Sequence, residues 1–450
     1  MHPRYRIFSV IAQLSVAAAL VVAGCSSSST PQPTQAATQA ATVAATMTAA
    51  PSTATTTACK GITFWARSDT SPFIQPLVDA YNALGGPRVE LTVVPAGAAF
   101  TQKLGAALAA GTAPDVISLN LVYAPYFASK GQLADITDRA KALGYVDQLN
   151  ASELRVGTWN DKIYALPFTG DASALFYNKT LFKRAGLDPS KPPTTWAEIL
   201  DDAKKVAALG GGVSGYYFPG SGSGWNLFTF TPYIWASGGD VLTGEGANQK
   251  SNLNTQPVKD ALAFYRELWT SGVIDPSAQT DDGTSILTLF EAGKVAMLPN
   301  GAFAYSEFKS KFKNLDYGIT FIPGKNGGKA SFAGGDTITI TAATKCMDQA
   351  WDFVKWTTST DTQTKYIAGA GVVPIRPDAV PANADANFTT LIQAMAMGQT
   401  PKSVVYSQLF EDPTGPWATM IHESVFSGNI DQQVASADAA WNAIIAAGAK

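Results

Sequence analysis

Bond-breaking chemistry needs particular side chains close together, and this 450-residue chain is sparing with several of them. It has two histidines, His2 and His422, and three cysteines, Cys25, Cys59 and Cys346. His2 lies in an N-terminal segment read below as cleaved, so His422 stands alone. Histidine-rich zinc sites and most Ser-His-Asp arrangements then have almost nothing to be built from, and no metal or cofactor is expected. "GSGSG" lacks serine at the centre of a G-x-S-x-G, "GAGVVP" fails G-x-G-x-x-G at its last position, and "GKNGGKA" is not a phosphate-binding loop. Carboxylates are numerous enough that a pair flanking a glycosidic bond could be present, so a tethered glycoside hydrolase stays open as an alternative. The other chemistry available is binding: short planar Asp and Asn side chains at strand ends, and aromatic rings beside them. Asp69 follows a first strand and Asn120 closes a third, while Trp65 ends the first.

These residues sit on a regular alternation of elements. "GITFWARS" predicts a buried strand from Ile62 to Trp65. "SPFIQPLVDAYNAL" predicts a helix with Ser71 as N-cap and Pro72 at its first position, with Phe73, Leu77, Tyr81 and Leu84 on one face. "RVELTVVP", "FTQKLGAALAAG" stopped at Gly111, and "DVISLN" complete a βαβαβ pattern, which implies a parallel sheet with ligands beyond the carboxyl ends of its strands. Further on, "TTWAEILDDAKKVAALG" opens with the capping box Thr195 and Glu198. "PVKDALAFYRELWTSG" and "DQAWDFVKWTTS" read as amphipathic helices, and "VAMLP", "YGITFIP" and "DTITITA" as strands between them. The body is α/β.

Upstream of it, Arg4 and Arg6 precede an uncharged apolar run from Ile7 to Ala23, the pattern of a secretory signal. The run ends in Val22-Ala23-Gly24-Cys25, which resembles the lipobox of bacterial lipoproteins. That resemblance implies cleavage before Cys25 and a diacylglycerol on its sulfur, anchoring the protein to an extracytoplasmic membrane face. Ser26 to Thr57 contain no charged residue and read as a tether of reach alone. The chain carries a net charge of −3; removing the signal, with its two arginines and no acids, leaves −5. No basic patch invites nucleic acid.

"GTAPDVISLN", "ALPFTGDASALFYNKTLFKRAGLDPSKPPTTWAEIL", "LFEAGKVAMLPNGAF", "SFAGGDTITI" and "AWDFVKWTTS…GAGVVPIR" occur in this order and spacing. Together they resemble the family 1 extracellular solute-binding proteins of ABC importers, in the sugar-binding branch to which maltose-binding protein belongs. The resemblance implies a two-lobed fold of the type II periplasmic-binding class, with a carbohydrate ligand in the cleft and a membrane permease as partner. The protein would be a monomer and no enzyme, and a lipoprotein feeding a sensor is a further alternative. The implied division is a signal over 1–24, a lipidated tether over 25–58, lobe I over 59–170 with 299–345, and lobe II over 171–298 with 346–450. The crossings fall at "PFTGDA", "AMLPNG" and "TKCM". The same comparison places Cys346 near the start of the first strand, and so implies a disulfide to Cys59.

A sugar offers hydroxyls that need paired donors and acceptors, and C–H faces that lie flat on aromatic rings. Asp171 occupies the position where a maltose-binding relative holds sugar hydroxyls with a carboxylate, and it joins Asp69 and Asn120 as a candidate ligand. Each could equally be a cap or turn residue. Trp225, Tyr233 and Trp235, in a segment read as loop-rich, Trp65, and Trp417 in "DPTGPW" are candidate stacking platforms, with core packing as the other possibility. Trp196, Trp269, Trp351, Trp356 and Trp441 lie in helical patterns and read as packing residues. Gly334, Gly335 and Asp336, and Asn300 of "NGAF", match positions where the family's backbone approaches ligand, although a tight turn would serve the glycines. Arg67 could bind a hydroxyl or an acidic substituent, whereas Arg376 reads as a salt-bridge residue.

Overall fold

A computed structural model describes residues 59–448. The signal segment, Cys25 and the Ser/Thr/Ala/Pro tether lie outside the described residues.

Seven strands form one mixed sheet: β1 (Gly61–Arg67), β2 (Arg88–Val94), β3 (Val116–Asn120), β4 (Ala165–Asn178), β5 (Met297–Gly301), β6 (Tyr317–Thr320) and β7 (Ala333–Ile340). Their order is β6-β4-β7-β3-β1-β2, with β5 also on β4. β1 pairs parallel with β2 and β3, as the βαβαβ pattern requires. The helices used below are α1 (Ser71–Asn82), α2 (Ala98–Ala110), α3 (Ala151–Val156), α4 (Trp196–Ala207), α5 (Ser223–Ala236), α6 (Gln256–Thr270), α7 (Phe303–Lys311) and α8 (Met347–Thr357).

α1 stops at Asn82 because the Asn82 amide turns back to both backbone groups of Val89, at 2.8 and 3.0 Å. Leu84 therefore falls outside the helix and is 65 % exposed, against the expectation that it shares the buried face. The N-cap is Thr70 rather than Ser71. α4 begins as its sequence demands. The Thr195 hydroxyl accepts from Glu198 N–H at 3.2 Å, and the Glu198 carboxylate accepts in return from the N–H of Thr194, one residue earlier than the standard box.

The 14-residue β4 organises the molecule. Its first half, Ala165 to Ala172, pairs with β7, and its second half pairs with β5 on one side and β6 on the other. Around the first half, one sheet face is covered by Phe64, Leu77, Ile338 and Phe353, and the other by Val94, Phe100, Leu119 and Phe127. The second half contributes Phe176 to a separate core with Leu227, Tyr265, Trp417 and Trp441.

This packing groups two stretches differently from the division the sequence implies. Residues 303–332 were expected in lobe I, yet Ala304, Tyr305 and Phe308 of α7, and then Ile319, Ile322 and Phe332, bury themselves in the Phe176 core. α8 was expected in lobe II, yet its Phe353 sits edge-on to Phe64 and Tyr81, with centroids 5.2 and 5.0 Å apart, and Ile367 and Ile375 follow it into the first core. At the entry to α8, Cys346 is disulfide-bonded to Cys59, with Cα atoms 5.6 Å apart.

Candidate ligand cleft

The strand pairing brings the polar candidates together. Arg67 ends β1 and Asn120 ends β3, while register places Asp336 of β7 opposite both Asn120 and Thr169, and Gly334 opposite Asp171. Asp336 is fully buried. Its carboxylate accepts from Ser118 Oγ at 2.6 Å and pairs with Arg67 Nη2 at 2.9 Å. Burial pushes the Asp336 carboxyl above the usual range, and Arg67 and Ser118 pull it part of the way back. Arg67 also reaches Asp69 at 3.4 Å. The single candidate cation is thus engaged by two carboxylates, and Asp336 acts as its counter-ion from beneath rather than as a group open to ligand.

Asp171 stands apart from that pair. It is half-buried on β4, and its carboxylate accepts from the backbone N–H groups of Ala302 and of Phe303, the latter at 3.3 Å. Gly301 makes this approach possible, since a Cβ there would lie 2.8 Å from Asp171 Oδ2. Burial raises the Asp171 pKa to about 6, against the pull of the two N–H groups and of Arg67. Beside it, Phe303 is 41 % exposed and meets the half-buried Trp225 ring with centroids 5.7 Å apart. Trp225 lies on Gly283, whose φ is +104° and whose missing Cβ would fall 2.1 Å from the indole Cδ1. A largely buried carboxylate beside two rings offers both halves of sugar recognition, hydroxyl acceptance and a flat apolar face.

Other candidates are placed elsewhere. Trp225 belongs to helix α5, not a loop; Thr229 and Thr231 hydroxyls bond carbonyls one turn back, and Pro232 sits within the helix. Tyr233, Trp235 and Trp417 are sealed in the second core, which excludes them as stacking platforms. Tyr233 Oη meets Tyr216 Oη at 2.5 Å, Trp235 Nε1 donates to Asp240 at 2.9 Å, and Trp417 Nε1 donates to the Ser223 carbonyl at 3.2 Å. Trp65 packs against the core under α2, with Lys103 Nζ 4.7 Å from its ring. Asn120 caps the short turn Leu121–Tyr123 through the Val122 N–H at 3.4 Å. Asn300 is buried, and its side-chain oxygen accepts from Gly301 N–H at 2.8 Å. Gly335 has φ +121°, and a Cβ there would lie 1.8 Å from the Thr169 carbonyl; it serves the close approach of β7 to β4. Gly334 serves the same approach, since a Cβ there would lie 3.1 Å from the Asp171 carbonyl. Arg376 does form its salt bridge, to Asp378 at 2.6 Å, over the Tyr145 ring.

Three further residues near these candidates escaped the sequence reading: Phe303, whose N–H donates to Asp171, and the hydrogen-bonded pair Tyr123 and Glu411. Phe303 lies in the quoted "NGAF", where an exposed aromatic after two small residues was the available signal. Tyr123 and Glu411 are 288 residues apart and meet only in the fold. A groove of about 530 Å³ lies between the Trp159–Asp161 turn and Lys402–Val405, and Asp171 does not line it. No cluster of three or more His, Cys, Asp or Glu side chains suited to a metal occurs among the described residues.

The sequence matches the family model described as bacterial extracellular solute-binding protein over residues 67–364. A protein of Brucella abortus named as a binding protein is 27 % identical over 331 residues, covering 72 % of this chain and 79 % of its own. A maltooligosaccharide ABC transporter solute-binding lipoprotein of Streptococcus pneumoniae is 24 % identical over 400 residues, covering 84 % and 87 %. Among solved structures, an ABC transporter solute-binding protein of Thermotoga lettingae bound to α-D-tagatose superposes with a TM-score of 0.75 at 23 % identity, over 86 % of this chain and 99 % of that one. The sugar-binding protein MalE of Xanthomonas citri gives 0.74 at 21 % identity, over 86 % and 98 %.

Proposed function

Because the chain belongs to the bacterial extracellular solute-binding protein family, we propose that it captures a carbohydrate outside the cytoplasmic membrane and delivers it to the permease of an ABC importer. The observation that carries this reading is Asp171 on the strand shared by both cores, beside exposed Phe303 and half-buried Trp225. Such a position lets ligand contacts on both sides of the crossing be made at once, so that binding favours the closed arrangement of the lobes. In this reading lobe I is residues 59–170 with 333–375 and lobe II is 171–332 with 376–450, a division supported by Phe64, Ile338 and Phe353 sharing one core and Phe176, Phe308 and Trp417 another. Family and structural neighbours are binding proteins; in this reading the chain performs no chemistry on its ligand. Arg67 is spoken for by Asp336 and Asp69, which supports a neutral sugar over a phosphorylated or acidic one. Cys25 would carry the lipid anchor.

The test is a thermal-shift screen of the protein against tagatose, maltose, longer maltooligosaccharides, diacetylchitobiose and glycerophosphate, with recovery of each hit. A ligand at 100 times its Kd adds about 2.7 kcal/mol. A stabilising sugar recovered unchanged supports the reading; cleavage of the sugar, or stabilisation by glycerophosphate alone, overturns it.

A further inference from the structure

Trp225 stands in the first turn of α5, half-buried beside Phe303. Its indole rests on the loop 281–285. A Cβ on the buried Gly283 would fall 2.1 Å from the indole Cδ1 and 2.2 Å from Nε1, so only glycine leaves the ring where it is. Gly283 is itself fixed by one carboxylate. Asp281 Oδ1 accepts from the Gly283 N–H at 3.0 Å, while Oδ2 accepts from Ser285 Oγ at 2.7 Å and from Tyr217 Oη at 2.8 Å. Tyr217 is fully buried in the Phe176 core, and its N–H donates to the Met297 carbonyl of β5 at 3.0 Å. The Asp281 carbonyl in turn accepts from the Ser221 N–H at 2.9 Å, just ahead of α5. One residue thus ties core, loop and helix entry together around the Trp225 ring.

We propose that Asp281 is a positioning residue for the ligand site: by fixing Gly283 as the floor under Trp225 it sets the tilt of that ring, 53° from Phe303, and so the sugar face that fits beside Asp171. The proposal rests on the carbohydrate reading above and adds to it a residue that acts through the ring rather than on the ligand. A plain loop turn needs only the local bond that Asp282 makes to the Thr284 N–H at 3.0 Å. Asp281 makes the same local bond to Gly283 and adds Tyr217, 64 residues away in sequence. Loosening the loop frees Trp225 to tilt, and stacking depends on ring geometry.

The test follows Trp225 by fluorine NMR, without ligand, in the full chain labelled with fluorotryptophan. Trp225→Phe identifies its signal among those of the ten tryptophans. Asp281→Asn is expected to shift and broaden that signal, while Trp351 and Trp441, packed in the two cores, keep theirs. Tyr217→Phe removes a single bond and should do the same to a smaller extent, which decides the matter if Asp281→Asn folds poorly. Thr284→Ala, at an exposed hydroxyl bonded to Asp282 in the same loop, should leave the Trp225 signal unchanged. Calorimetric titration with the best sugar of the screen reads the consequence. Asp281→Asn should weaken binding about fivefold, and should weaken it no further in a Trp225→Ala background, because both changes remove one stacking contact. An unmoved Trp225 signal overturns the proposal, and so does an affinity loss that persists in full without Trp225. If no sugar binds the wild type, the carbohydrate reading fails, while the fluorine spectrum still decides whether Asp281 holds the ring.

Discussion

Two carboxyl groups show how burial sets what a residue can do. Asp171 has its pKa raised to about 6, so the folded state binds its proton more tightly than the unfolded chain does. Its stabilising effect is complete below the unfolded value of about 4 and is lost as pH rises through 6. Asp171→Asn should therefore leave stability unchanged at pH 4 and raise it at pH 8, by roughly 1 to 3 kcal/mol. Thermal melts at the two pH values check this. Glu153 on α3 carries the same sign further. It is fully buried, both its oxygens lack a hydrogen-bond partner, and burial, then the nearby Asp336, push its pKa well above the usual range. Glu153→Gln should remove the fall in stability that the wild type shows as pH rises above the ordinary carboxylate range; melting curves from pH 4 to 9 that stay parallel for the two proteins would refute it. Nothing about Glu153 is visible in sequence, because an acid in "NASELRV" reads as a helix-surface residue. Asp171 was singled out through the motif around it. The aromatics were not, since Trp417 and Trp225 look alike in a string of letters and differ only in what surrounds them.

At the scale of elements, the strands and most helices follow from patterns that repeat in sequence, and the failures have physical causes. α5 is buried around most of its circumference, so it shows little 3.6-residue period to read, and Pro232 and its flanking glycines mimic a loop. β7 presents the reverse case. Its "AGGD" was readable as a place where a side chain would clash, but the partner that forbids it is the Thr169 carbonyl across the sheet rather than a ligand. Gly335→Ala should destabilise by roughly 2 to 4 kcal/mol, from a forced backbone conformation and a Cβ with no room. Denaturant unfolding measures this directly, and a loss under 1 kcal/mol would mean that the two strands can part at little cost. Because Asp171 of β4 pairs with Gly334 of β7, next to the substituted position, any ligand affinity should fall with it.

For the whole molecule, the α/β class was readable and the lobe boundaries were not. Residues 303–332 and 347–375 alternate helix and strand as the rest does, and nothing local says which of two cores they join; that is settled by long-range packing such as Phe353 on Phe64. The disulfide spans 287 residues and ties the start of β1 to the entry of α8, both within lobe I as the packing draws it. Closing so long a loop contributes roughly 5 kcal/mol in the chain-entropy model. Reduction should lower the Tm clearly while leaving ligand affinity nearly unchanged, because neither sulfur is near Asp171 in the sheet. The measurement that bears most directly on the function is a pair of calorimetric titrations, with the best sugar from the screen, into the wild type and into Asp171→Asn. If the cleft at Asp171 is the binding site, the variant binds about 1 to 3 kcal/mol more weakly at pH 7.5 while melting no lower than the wild type. Equal affinity in the two proteins would contradict the account and place the sugar elsewhere.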